Sequence, residues 1–253
     1  MDPVLDRLVQ FDERSRNFSV QTLLEGKKPK SNDWRITRPF LIDQGREGAC
    51  GGFTITNELQ ARPSEVVIGD ESVTNQFAVE RIYHEAQKID PWEGGSYYGA
   101  SPNYSGTSIL ACIKIAQRLG YFKEYRWAFG LRDLVLGVGH RGPAVLGISW
   151  FDSNYNPDAN GFIAPLGNKV GGHAILARAV KVIWREGLTW ETNGWDAVDF
   201  DASYLTLRNS WGKWGHKDSG DCYVTLRNML TWLADAGEVV FAVNRRTTAK
   251  PTK

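Results

Sequence analysis

Asp43-Gln44-Gly45-Arg46-Glu47-Gly48-Ala49-Cys50 is a glycine-containing loop that delivers a thiol to the start of an apolar-striped helix. Phe53, Ile55 and Leu59 mark that stripe, and Pro63 ends it. A cysteine at a helix N-terminus faces unpaired N–H groups and the positive end of the macrodipole, both of which favour thiolate. Two later stretches complete a set. Gly171-Gly172-His173-Ala174 opens a strand after a glycine pair that lets another backbone come close. Arg208-Asn209-Ser210-Trp211-Gly212 supplies an amide side chain. Cysteine and histidine brought together make a nucleophile and its general acid/base. An asparagine on the second imidazole nitrogen would fix the ring's orientation.

The sequence on either side divides in two. Residues 40–125 carry helical periodicity, with further helices expected over 73–89 (Phe77, Ile82, Tyr83) and 108–119 (Ile109, Cys112, Ile113, Ala116). A Gly/Tyr/Ser-rich loop, Pro91 to Gly106, separates them. After about residue 125, short β-branched and aromatic runs predict strands at Ala144–Trp150, His173–Trp184, Tyr204–Arg208, Asp221–Leu226 and Val239–Val243. An inserted hairpin is expected around Gly187–Ser203. The pattern implies an α+β fold: a helical lobe over 32–125, a β-rich lobe over 126–245, and a cleft between them. Residues 1–31 read as a helical extension, with Asp2 as cap, Pro3 at the first position, and Val4, Leu5, Leu8 and Val9 on one face. Gly26-Lys27-Lys28-Pro29-Lys30 then reads as a linker, and 246–253 as a basic tail. A docking partner could be met through the N-terminal helix.

These motifs resemble the papain-like cysteine peptidases over roughly residues 33–244. Asp33-Trp34-Arg35 looks like the start of the mature enzyme in that family. The resemblance implies that Cys50 is the nucleophile, His173 its acid/base partner and Asn209 the group that orients the imidazole. It also implies that the Gln44 amide joins the Cys50 N–H in an oxyanion hole, and that Trp211 shields the Asn–His hydrogen bond from water. Gly106, Thr107 and Ser108 align with the loop that holds an extended peptide, and Gly48 and Gly172 are expected beside the substrate with Trp211. Four specified residues such as Asn-Ser-Trp-Gly occur by chance about once in 10⁵ positions, and the order Cys, His, Asn adds to the match. The likeness is nearest to compact bacterial and phage-encoded members without a long prosegment or structural disulfides. One departure is Gly51-Gly52 where the family usually has tryptophan after the nucleophile; the glycines are expected to open space beside the thiol.

Composition narrows the alternatives. The 253 residues are 42% hydrophobic, and 30 Lys+Arg balance 29 Asp+Glu, which points away from nucleic acid and membrane partners. No signal peptide is visible, and three well-separated cysteines suit a reducing, cytoplasmic setting or a virion. Cys112 and Cys222 are expected in the core, and His84 and His140 at the surface; His216 and Cys222 lack a second pair of ligands for a zinc site. Asp196, Asp199 and Asp201 fit a solvated hairpin better than a calcium loop. Gly137 to Gly142 reads as a turn. No metal or organic cofactor is implied. The expected function is hydrolysis of peptide bonds in a peptide or protein substrate through an acyl-enzyme. The alternatives are a papain-fold docking or structural component of a particle, and an amidase or acyl transferase on peptidoglycan or isopeptide bonds. With about thirty residues ahead of Asp33, the intact chain is expected to accept an active-site probe without prior cleavage.

Overall fold

A seven-stranded antiparallel sheet, buried on both faces, carries the architecture. The computed structural model describes residues 4–36, 41–63 and 74–245. In chain order the elements are β1 (Arg7–Leu8), β2 (Asn32–Asp33), α1 (Cys50–Gln60), a π-helical turn (Phe77–Tyr83) continuing into α2 (His84–Gln87), β3 (Thr107–Ser108) and α3 (Ile109–Arg118). There follow β4 (Phe122–Trp127), α4 (Leu131–His140), β5 (Ala144–Phe151), β6 (Lys169–Lys181), α5 (Trp190–Asn193), β7 (Tyr204–Arg208), β8 (Asp221–Thr225), α6 (Leu226–Ala234) and β9 (Glu238–Arg245). The strands lie in the order β4-β9-β5-β6-β7-β8, and β2 pairs with β6.

Side chains alternate across a strand, so each central strand serves two cores. Leu146, Ile148, Ile175 and Ala177 face a core shared with Leu134, Val138, Met229 and Trp232 of α4 and α6. Val145, Ala174, Leu176 and Val240 face the other, with Ile55 and Leu59 of α1 and Ile109 and Ile113 of α3. Burial on both faces is why β5 reads Ala-Val-Leu-Gly-Ile-Ser-Trp-Phe with almost no polar alternation. The active-site cleft expected between a helical and a β-rich lobe lies where α1 meets β6.

Several expectations change. Residues 126–245 hold two full helices besides the strands. In α4, Gly137 and Gly139 sit mid-helix, where the sequence suggested a turn. Each forgoes about 1 kcal/mol of helix propensity. A Cβ at Gly137 would strike the Phe241 ring, and one at Gly139 would lie 2.9 Å from the Lys30 carbonyl. Close packing outweighs propensity there. His140, in the last turn, meets the Lys28 carbonyl at 2.8 Å. The segment 187–203 is no hairpin: Thr189 caps α5 through the Thr192 N–H, and a 3₁₀ turn follows over Gly194–Ala197. Asp199 accepts from the Asp201 and Ala202 N–H groups, and Asp201 pairs with Arg227. The start of the expected 73–89 helix and the basic tail 246–253 lie outside the described residues.

The N-terminal extension departs most. No helix runs over Val4–Val9; Arg7 and Leu8 pair in parallel with Thr107 and Ser108, and Asp6 bridges to Gly172. An isolated helix of this length is marginal in water, and pairing with the backbone of both lobes gives the segment a better outlet for its N–H and C=O groups. Among the described residues of the extension, helical structure is limited to 3₁₀ turns at Glu13–Phe18, capped by Asp12, and Gln21–Leu23; the expected cap Asp2 and Pro3 lie outside the described residues.

Candidate active site

Cys50 is the first residue of α1, and its thiol is almost fully buried. Gly51 and Gly52 do not open space beside it. A Cβ at Gly51 would lie 2.9 Å from Cys112 Sγ, and one at Gly52 would meet the Ala78 carbonyl and Tyr83 Cβ. The glycines let α3 and the π-helical turn close on α1. Cys112 and Cys222 are buried and unpaired by disulfide.

His173 stands on β6, fully buried. Its Nε2 donates to Asn209 Oδ1 at 2.8 Å, with Asn209 also accepting from the Ser210 N–H. That bond assigns the proton of a neutral ring to Nε2 and leaves Nδ1 as the basic nitrogen. Nδ1 has no hydrogen-bond partner among the described residues. The Trp211 ring lies 5.0 Å from the imidazole and Trp150 4.7 Å, with Tyr155 stacked on Trp211. Trp211 thus walls the His173–Asn209 pair. Burial pulls the His173 pKa down to about 4, against the Asn209 bond, which acts to raise it.

Gln44 is held from two sides. Its N–H donates to the Ser210 carbonyl at 2.9 Å, and its Oε1 accepts from Ser210 Oγ at 2.7 Å. Nε2 is therefore the end left to aim outward. It donates to Glu47 O at 3.0 Å and to Val4 O at 3.1 Å. Ser210, within the Asn-Ser-Trp-Gly motif, thus orients Gln44 through both contacts.

The cleft is filled by the chain itself. Val4 to Leu8 run extended past the buried Cys50, with Asp6 bridged to Gly172 and Arg7 and Leu8 paired with β3. Glycines on both walls make the close passage possible. A Cβ at Gly48 would collide with the Asp6 side chain, one at Gly106 (φ +98) with the Asp6 carbonyl, and one at Gly172 with the Arg7 carbonyl. Thr107 and Ser108 pair with the segment as β3, and Ser108 Oγ donates to Gln10 Oε1 at 2.6 Å. Gly48, Gly106, Thr107, Ser108 and Gly172 therefore all line one extended peptide. Under this cover the helix N-terminus does not win: burial pushes the Cys50 thiol up to about 11, although three backbone N–H groups pull the other way. The thiolate expected from the sequence is not the state of the closed cleft.

Residues that sequence reasoning missed are Asp6, Arg7, Gly147 and Glu238. None sits in a motif, and no local pattern joins positions 7 and 238. Among the described residues no cluster of His, Cys, Asp or Glu is arranged to hold a metal, and no helix is long and apolar enough to cross a membrane.

No protein-family model matches the chain, and no curated protein does. Solved structures do. Xylellain, a cysteine protease from Xylella fastidiosa, is similar over 96% of this chain and 96% of its own, with TM-score 0.59 and 18% identity. A digestive procathepsin L 3 from Tenebrio molitor larval midgut matches over 95% and 83% respectively, with TM-score 0.49 and 15% identity. The proCathepsin B S9 of Trypanosoma congolense gives 96% and 83%, TM-score 0.45 and 12% identity. Helices on one side of the cleft, the sheet on the other and a likeness to xylellain along nearly the whole length make this chain a papain-like α+β fold.

Proposed function

We propose that the protein is a cysteine peptidase that hydrolyses peptide bonds in extended substrates. The observation that carries this reading is the extended segment in the cleft: the Val4 carbonyl accepts from the Gln44 amide, and the Asp6 and Arg7 backbone lies against Gly106 and Gly172. In the open enzyme, the Cys50 proton passes to His173 Nδ1, and the thiolate attacks the substrate carbonyl carbon. The carbonyl π electrons move to oxygen, and the oxyanion is met by Gln44 Nε2 and the Cys50 N–H. The imidazolium, steadied by Asn209, protonates the leaving amine. Water then attacks the thioester with His173 as base, releasing the acid and restoring the thiol.

The N-terminal segment blocks this cycle as it stands, so the intact chain is latent until residues 4–8 leave the cleft. The segment presents Asp6 and Arg7 where a substrate would lie, and Cys50 stays buried beneath it. The test uses the full-length chain carrying Arg7→Ala, which removes the segment's buried anchor. Under reducing conditions it should cleave a denatured protein or a peptide mixture, and the cleavage should vanish in Cys50→Ala and His173→Ala made in the same background. Turnover that survives Cys50→Ala would refute the assignment of the nucleophile.

A further inference from the structure

The hydrogen bond to Asn209 holds one atom of the His173 ring. It leaves the ring free to turn about the Nε2–Oδ1 axis, and Nδ1 has no partner among the described residues to stop it. Proton transfer needs Nδ1, and not a ring carbon, turned toward Cys50. The plane of the ring is therefore set by what packs on it.

Two indoles do so. Trp150 lies 4.7 Å from the imidazole at an interplanar angle of 64°, and Trp211 lies 5.0 Å from it at 42°. The indoles themselves are 5.2 Å apart at 77°. Three rings in three planes, each packed on the other two, cannot turn singly without overlap. Trp211 belongs to the motif around Asn209, whereas Trp150 comes from another strand and no motif marks it. On β5 it stands opposite Gly171, while Ile148 stands opposite His173. Gly171 has no side chain to separate them, so the indole reaches His173 on the diagonal. The pairing shifts register just after Trp150, a bulge of the kind that re-aims a side chain.

Trp150 is itself fixed. It is fully buried, with the Trp214 ring 6.3 Å away. Its indole N–H has no acceptor among the described residues. Burying that group is unfavourable, and leucine or phenylalanine would not carry the penalty. Filling space on β5 does not by itself call for tryptophan; a broad flat surface against the imidazole does.

We infer that Trp150 is a positioning residue for the reaction: together with Trp211 it fixes the plane of the His173 ring, so that Nδ1 meets the Cys50 thiol. This rests on the peptidase reading. An aliphatic side chain at 150 would fill part of the volume but let the ring turn, and the thiolate–imidazolium pair would lose its alignment.

The experiment places Trp150→Leu and Trp150→Phe in the full-length Arg7→Ala chain, which lacks the buried Arg7–Glu238 pair that anchors the segment. Peptide turnover and the pH profile of Cys50 alkylation by iodoacetamide are read on each, with urea midpoints confirming a folded chain. Trp150→Leu should lower kcat about tenfold or more with KM within about twofold. It should also move the acid limb of alkylation up by about one pH unit, because a misaligned imidazolium no longer stabilises the thiolate. Trp150→Phe, which keeps a ring, should recover most of both effects. If Trp150→Leu does not fold, Trp150→Met, longer and more adaptable, takes its place. A parent chain that cleaves, with Leu or Met at 150 leaving the alkylation limb unmoved, overturns this inference and leaves the peptidase reading standing. Equal losses in the phenylalanine and aliphatic variants overturn it likewise. No cleavage of any peptide by the Arg7→Ala parent, with Cys50 readily alkylated, overturns the peptidase reading and this inference together.

Discussion

The Gln44 side-chain amide donates to the backbone carbonyl of Val4 at 3.1 Å, so the donor that would meet a reacting oxyanion holds the protein's own chain. Ser210 fixes the opposite end of that amide at 2.7 Å, which leaves Gln44 little freedom to look elsewhere. The cleft therefore already holds an extended segment of its own chain.

Cys50 should be slow to alkylate in the intact chain. A thiol raised to about 11 carries roughly one thiolate in 10³ at pH 8, and the Cys50 side chain is almost fully buried. Labelling by iodoacetamide should rise with pH until well above 9, in contrast to an ordinary cysteine. Arg7→Ala should speed it by about tenfold or more at pH 8, with peptide mapping used to separate Cys50 from Cys112 and Cys222. Equal rates in the two proteins would show that the segment does not guard the thiol.

Gln44→Ala has two opposed effects. Loss of one oxyanion donor should lower kcat by about 10²-fold in the Arg7→Ala background. Loss of the Val4 contact should also loosen the segment, so Cys50 alkylation in an otherwise unaltered chain should quicken. A variant that slows turnover without changing alkylation would mean that Gln44 has no part in holding the segment.

His173 makes the closed protein acid-sensitive. Its pKa falls from about 6.5 to about 4 on folding because burial disfavours the imidazolium. Between those values the unfolded chain binds the proton and the native chain does not. Stability therefore rises with pH across this window, and acidification from 7 toward 4 removes up to about 3 kcal/mol. Urea midpoints for the wild type and His173→Gln, measured at pH 7 and at pH 5, isolate the contribution. The wild type should lose more on acidification; identical losses would mean that the ring is hydrated in solution.

Legibility followed locality. Cys50, His173 and Asn209 each announce themselves within a few residues, by a helix start, a glycine pair and a short motif. Strand β5 is readable because a strand covered on both faces needs a near-continuous apolar run, and β7 and β8 are readable from their β-branched and aromatic residues. The failures come from contacts distant in sequence. Gly137 and Gly139 look like a turn until Phe241 and the Lys30 backbone are brought against them. Val4 to Val9 have the spacing of a helix, yet the walls offered by Thr107 and Gly172 draw them into an extended form. Gly51 and Gly52 suggested a void because nothing in the sequence says that Cys112 and Tyr83 fill it. Arg7 and Glu238 meet across nearly the whole chain, and no periodicity encodes that pair.

The last prediction concerns what ties the final strand to the helix of the nucleophile. Glu58 on α1 and Arg245 at the end of β9 form an ion pair at 2.5 Å, with side chains 0% and 4% exposed. Burial raises the Glu58 pKa and lowers that of Arg245, each opposed by the other's charge. Arg245 Nη1 also donates to the Ala61 carbonyl at 2.9 Å, just past the end of α1. Such a pair has to recover two desolvation costs, so its net contribution is small, while either charge alone is costly. Glu58→Leu and Arg245→Met should each destabilise by about 3–5 kcal/mol. The double variant should recover most of that loss, because an apolar pair of similar volume leaves no charge behind. The double variant should retain a small deficit from the unmet Ala61 carbonyl. Denaturant midpoints at constant m-value measure all three. Additive losses in the double variant would show that the two charges are stabilised by water and not by each other.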